Sequence, residues 1–236
     1  MQTHLQPMNS NAAYPDALGA ADAAAAQKVL RNTYLLLALT MVPTVAGALL
    51  GMATGGIILQ HPIIASLVML AAVIGLQMGI HANRDSGLGI VLLLLMTGIL
   101  GWWLGPILSY ALQLRNGAAL VGYAAGGTAI IFFAMAGVAT TIKRDLAFLG
   151  KFLFVGMIAL LVAMVANMFL QIPALALAIS TLVIVVFSLF LMYDLNRIVT
   201  GGETNYIVAA TGVYMSLYNI FSSLLHLLMS LTGERD

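Results

Sequence analysis

Apolar residues in this chain fall in long unbroken blocks separated by short polar stretches, and they do not alternate with polar ones. Blocks of about 20 residues match the hydrocarbon core of a bilayer when wound as α-helix, and the missing alternation excludes a membrane β-barrel. The pattern predicts seven spans: Thr33 to Gly55, Pro62 to Ala82, Gly87 to Tyr110, Gly117 to Ile142, Phe152 to Gln171, Pro173 to Val199 and Tyr206 to Leu231. Pro62 and Pro173 each suit a first helical turn. The short connections favour a compact bundle of antiparallel neighbours, an all-α polytopic membrane fold.

Residues 1–27 break the pattern with Gln2, Gln6, Asn9, Asn11, Asp16 and Asp22, followed by an alanine run. They predict a mobile polar tail ahead of a transmembrane domain over residues 28–236. The tail lacks the basic start and short apolar core of a secretory signal, so the first span is expected to act as an uncleaved anchor.

Composition sharpens the class. Hydrophobic residues make up 62% of the 236 and charged residues 7%, too few charges to cover a soluble fold of this size. Nine basic residues spread along the chain form no patch for nucleic acid. There is no cysteine, hence no disulfide and no thiolate chemistry. The charges sit at segment ends, and their placement predicts orientation. Lys28, Arg31, Arg84, Lys143, Arg144, Lys151 and Arg197 fall on the N-terminal side, Arg115 and Arg235 on the other. The positive-inside rule then puts the N-terminus in the cytoplasm and, after seven crossings, the C-terminus outside.

Within the spans, glycines recur at four-residue spacing: Gly47, Gly51 and Gly55; Gly75 and Gly79; Gly101 and Gly105; Gly122 and Gly126. In lipid, such stripes are expected to be packing faces, with a sliding surface as the alternative. Pro43 removes a backbone donor inside the first span and predicts a kink. The seventh span carries a polar seam of Gly212, Ser216, Asn219, Ser223, His226 and Ser230, with steps of four and three that put all six on one face. Tyr214 and Tyr218 form a neighbouring stripe. The seam should point into the bundle, either bonding other helices or lining a narrow aqueous route.

Asp194, near the end of the sixth span, is the most informative residue. Bare hydrocarbon cannot hold a carboxylate charge, so it must face protein, water or a cation. Two readings stand: an ion pair with Arg197, three residues on, or a proton-sensitive latch on a cytoplasmic-side pathway. The connection from Thr200 to Tyr206 folds the seventh span back beside the sixth. That brings the start of the seam to Asp194, so Asp194, Arg197, Ser216, Asn219 and Ser223 form one candidate pH-sensing or ion-pathway site.

Asn167 and Gln77 read as interhelical hydrogen-bond partners, and His61 and His81 as solvated segment ends. His226 can titrate but makes no metal site alone. No cofactor, zinc, phosphate-loop or hydrolase motif is present. Ser223 and His226 are three residues apart on one helix, poor geometry for a serine protease dyad.

Several stretches together resemble the Bax inhibitor family of seven-helix membrane proteins, in its bacterial YccA branch. They are Arg31-Asn-Thr-Tyr34, Leu104-Gly-Pro106 after two tryptophans, Lys143 to Gly150, Tyr193-Asp-Leu-Asn196, Gly201 to Tyr206, and Tyr214 to Phe221. The resemblance runs from about residue 28 to 231 along the chain. It implies a protein of the bacterial inner membrane, in contact with lipid, that associates with the AAA protease FtsH. Such a protein is a slow substrate and modulator in membrane-protein quality control, with the N-terminal tail as the protease's handle. Other branches imply a pH-sensitive calcium leak in which aspartates on the sixth and seventh helices share a proton. Asp194 matches the first of these aspartates. The second falls on Ser216, which cannot ionise, and calcium would find few oxygen ligands here. The sequence therefore favours protease modulation over the alternative, a pH-sensitive calcium or cation leak gated near Asp194 with calcium or protons as its partners.

Labelling the two chain ends from opposite faces of the membrane checks the crossing number. Both ends reached from the same face would exclude seven spans.

Overall fold

The computed structural model describes residues 13–142, 144 and 146–232, and among these the chain forms helices and no strand. α1 spans Ala13–Thr54, α2 is a single turn at Gly56–Gln60, and α3 covers Pro62–Ala82. α4 (Gly87–Gln113), α5 (Gly117–Thr141), α6 (Ala147–Leu170), α7 (Pro173–Val199) and α8 (Tyr206–Thr232) follow. All except α2 are long and apolar enough to cross a membrane, which gives the seven expected spans. Pro62 and Pro173 open their helices as the sequence predicts. α6 ends at Gln171 in the left-handed region (φ 52), where the Asn167 side chain accepts a hydrogen bond from the Ile172 amide at 3.1 Å. Asn167 thus closes its own helix rather than bonding a neighbour.

The polar composition predicts a mobile tail through residue 27, yet the backbone is helical from Ala13 and runs on without a break into the membrane. The run of alanines, the residue that gives up least on entering a helix, accounts for the continuation. The first 12 positions lie outside the described residues.

The closest packing joins α1 to α4. A Cβ on Gly101 would collide with the Thr44 backbone, one on Gly105 with the Gly51 backbone, and one on Gly47 with Gly98. Gly55 meets the Pro106 ring instead. These glycines let two backbones touch, the source of helix attraction that lipid leaves available. The same spacing elsewhere does not mark a contact. Nothing stands within 4 Å of a Cβ built on Gly75, Gly122 or Gly126, and Gly79 meets only a Leu92 methyl at 3.3 Å. The stripes expected to pack α3 and α5 therefore lie open, because spacing fixes a helix face and not the neighbour it meets.

α8 is the central element. It packs against α7, α5, α1, α4 and α3, whereas α6 leans chiefly on α7. Half of α8's most apolar stretch is buried, against 11% of that in α6. Tyr214, 2% exposed, sets its hydroxyl 2.8 Å from Thr44 Oγ1 of α1 and donates to the Thr97 carbonyl of α4 at 3.4 Å. Tyr218 stacks on the same flank, with ring centroids 6.2 Å apart. The two ends of the bundle are tied by different bonds. At one end, Asn205 Nδ2, ahead of α8, donates to the Arg84 carbonyl and to Asp85 Oδ1, both at 2.9 Å. At the other, Asn116 Nδ2, ahead of α5, donates to the Thr232 carbonyl at 2.7 Å. The α3–α4 and α7–α8 connections thus share one end, and the α4–α5 connection meets the end of α8 at the other, as an antiparallel bundle requires.

Gly105→Val should force α1 and α4 apart and cost about 1–3 kcal/mol, the range for overpacking a tight contact. Gly122→Ala should change stability by less than about 0.5 kcal/mol. Thermal unfolding of both variants in detergent checks the contrast.

Candidate functional site between α7 and α8

The site is built on the α7–α8 hairpin. Gly201 takes φ +78, which a side chain would strain, and lets the chain reverse. The Glu203 amide then donates to the Arg197 carbonyl at 3.0 Å. The Glu203 carboxylate accepts from the Asn205 amide at 2.9 Å through Oε1, and pairs through Oε2 with Arg197 Nη2 at 3.3 Å. Asn205 Oδ1 accepts from the Ile207 and Val208 amides at 3.0 and 3.2 Å, the pattern of an N-cap that satisfies the open donors of α8.

Arg197 does not pair with Asp194. The ion-pair reading of these two residues is therefore corrected. Three-residue spacing puts them near each other, but the turn delivers Glu203 and the Gly202 carbonyl to the guanidinium, and both take it at 3.3 Å. The guanidinium also lies 5.6 Å from the Tyr193 ring centroid. Tyr193 in turn is pressed against Gly150 of α6, where a Cβ would stand 2.5 Å from the ring.

Asp194 turns toward α8 and lies flat on Gly212: a Cβ there would stand 2.6 Å from its Oδ2. Only glycine at 212 leaves room for the carboxylate. Asp194 and the start of the polar seam thus meet as the sequence predicts. Among the described residues the carboxylate has no hydrogen-bond partner, and Arg197 and Glu203 are the charges whose field reaches it. Ser216, one turn beyond Gly212, is 2% exposed, and Ser223 is 8% exposed. Neither hydroxyl has a hydrogen-bond partner among the described residues. Asn219 is partly buried and donates to the Met215 carbonyl of its own helix at 2.8 Å. Three of the five candidate residues therefore share one face of α8, Asp194 meets that face at Gly212, and Arg197 stands apart in the turn network.

Two contributors were not legible beforehand. Ser180 of α7 lies 3.1 Å from His226 Nδ1 and donates its own proton to the Ala176 carbonyl at 2.9 Å. In that arrangement Nδ1 carries the hydrogen and donates to Ser180 Oγ, so the serine is not activated as a nucleophile. Asn196, fully buried, donates to the Ala139 and Ile142 carbonyls at 3.3 and 2.6 Å and so closes the open end of α5. In the sequence Asn196 stands between Leu195 and Arg197, and nothing there points to the end of α5. No group of three or more His, Cys, Asp or Glu side chains that would hold a metal ion occurs among the described residues.

An all-α bundle of seven apolar spans, with one acidic side chain laid on the central helix, defines a multi-pass membrane protein. Comparison places it further. The sequence profile described as "Inhibitor of apoptosis-promoting Bax1" matches residues 26–233, and the chain belongs to this Bax inhibitor family. It is 43% identical over 210 residues to an uncharacterized protein of Neisseria meningitidis serogroup A, covering 87% of this chain and 92% of that one. It is 41% identical over 201 residues to the protein of Escherichia coli K12 named modulator of FtsH protease YccA, covering 85% of this chain and 89% of the relative. It is 37% identical over 199 residues to an uncharacterized protein of Pseudomonas aeruginosa, covering 84% of this chain and 87% of that one.

Asn196→Ala should leave the buried Ala139 carbonyl and the partly buried Ile142 carbonyl without this donor and cost about 1–3 kcal/mol. The Arg197–Glu203 pair is partly exposed, and a double-mutant cycle on it should return no more than about 1 kcal/mol of coupling. Denaturation of the purified variants measures both.

Proposed function

We propose that this protein is an inner-membrane modulator and slow substrate of an FtsH-type AAA protease, acting in membrane-protein quality control. The observation that carries this reading is the 41% identity, over 85% of the chain, to the protein named for modulating that protease. A relative in Escherichia coli O6:H1, also 41% identical, is named an inner membrane protein. The N-terminus lies in the cytoplasm, where such a protease works, and the C-terminus in the periplasm. Exposed Lys28, Arg31, Arg84, Arg144 and Lys151 support this orientation. The stretch ahead of the first span is the handle for engagement. The calcium-leak reading draws no comparable support, because a carboxylate pair needs an acid where Ser216 stands.

Deleting residues 2–20 should slow turnover of the protein several-fold in cells that carry the protease, measured by pulse-chase. Unchanged turnover would remove the handle, and failure to co-purify with the protease after crosslinking would remove the partnership.

A further inference from the structure

We propose that the cavity between the ends of α1 and α4 holds the amine head of a phosphatidylethanolamine-type lipid, with one acyl chain laid along α1. The cavity has a volume of about 290 Å³. It is lined by Met52, Gly55 and Gly56 from the α1–α2 junction and by Ser109, Tyr110 and Gln113 from α4. It lies at the end of the bundle where Asn116 meets Thr232. Glycine leaves the room: nothing stands within 4 Å of a Cβ built on Gly56.

The two helices that frame the cavity run parallel, since Gly47 meets Gly98, Gly51 meets Gly105 and Gly55 meets Pro106. Their carboxyl-terminal ends, at Thr54 and Gln113, therefore emerge side by side. Each such end leaves carbonyl oxygens without partners in the helix and acts as about half a negative charge, so the pair presents about one. Neither helix has a basic residue in its last turn to offset this. α2 is a single turn, and its Ile58 and Leu59 amides are already taken by the Gly55 carbonyl at 3.0 and 3.3 Å. None of the described residues lining the cavity carries a charge. The site is thus negative without an acid, and it suits a group that is positive and donates hydrogen bonds.

The surface of α1 continues the site towards the middle of the bilayer. Met41, Val42, Val45, Ala46 and Leu49 line an apolar trough of about 450 Å³. Val42, Val45 and Leu49 are exposed, left uncovered by the protein. Val42, Val45, Leu49 and Met52 follow at steps of three, four and three, so trough and cavity share one face of α1. The rise from Val42 to Met52 is about 15 Å, half the hydrocarbon thickness and hence the depth of one leaflet. An acyl chain in the trough therefore carries its head to the cavity.

The same features select among heads. A primary ammonium brings three N–H donors to the carbonyl oxygens, whereas the trimethylammonium of phosphatidylcholine brings none. A head that is anionic and lacks an amine would set negative against negative. A free metal cation finds no carboxylate among the lining residues. Arg115, two residues beyond Gln113, is exposed and suits the phosphate that such a lipid carries next to its amine. His61, two residues beyond Leu59, is exposed as well.

The intact protein in phosphatidylcholine nanodiscs, with a small fraction of a second lipid brominated on its acyl chains, tests this. The chain has two tryptophans. Trp102 donates to Thr54 Oγ1 at 2.8 Å, beside Gly55, so its fluorescence in a Trp103→Phe background reports bromine at the site. Brominated phosphatidylethanolamine should quench it several-fold more than the same amount of brominated phosphatidylcholine. Gly56→Leu, which fills the cavity, and Gln113→Lys, which supplies the missing cation, should bring the two lipids to parity. Gln113→Glu, and Gly122→Leu on the open face of α5, should keep the preference. Gln113 is exposed at the end of α4, so its two variants carry the test if Gly56→Leu fails to fold. Equal quenching by the two lipids before substitution, or stronger quenching by brominated phosphatidylglycerol, would overturn the proposal. So would a preference that survives either Gly56→Leu or Gln113→Lys, or one that is lost in Gln113→Glu.

Discussion

A bilayer offers hydrocarbon chains no means of satisfying a hydroxyl, an amide or a carboxylate, and that constraint decides which helix sits in the middle. α8 carries the densest set of such groups, and it is the span that neighbours surround on most sides. α6 carries few and keeps Phe148, Phe152 and Phe154 turned outward. Position in the bundle follows from what each helix needs to hide. The remaining contacts, from the α1–α4 glycine crossing to the Asn205 bridge, hold the other helices around that centre.

Spans were legible because apolar runs of bilayer length have one stable solution, and the α3 and α7 starts were legible because proline marks a first turn. α2 was missed: five residues between Gly55 and His61 carry no period that a sequence shows. The glycine stripes divided. Those on α1 and α4 face each other, whereas Gly122 and Gly126 of α5 have the same spacing and face nothing in the protein. Periodicity identifies a side of a helix; only the assembled bundle identifies its partner.

The candidate site shows the same division. Placing Asp194 beside the start of the α8 seam needed only the short connection between the two helices. The identity of Arg197's partner needed more, because Glu203 reaches the guanidinium through the turn that Gly201 permits. Ser180 and His226 are far apart in the chain, and no local pattern joins them. Their pairing follows from the register, which the Asp194–Gly212 contact already sets. Asn196 sits two residues from Asp194 but on the opposite side of α7, so it serves α5 while Asp194 serves α8.

The Tyr214 hydroxyl joins α1 and α4 to α8, which is synthesised after both of them. A nascent chain halted before residue 205 lacks that hydroxyl and lacks Asn205 at the α3–α4 connection. Its six earlier spans surround a centre with no occupant, and Thr44 and Asp194 are left without the helix they meet. Completion of the bundle is thus reported by α8, and a product stalled ahead of it differs from the seven-span bundle at the middle rather than at the edge.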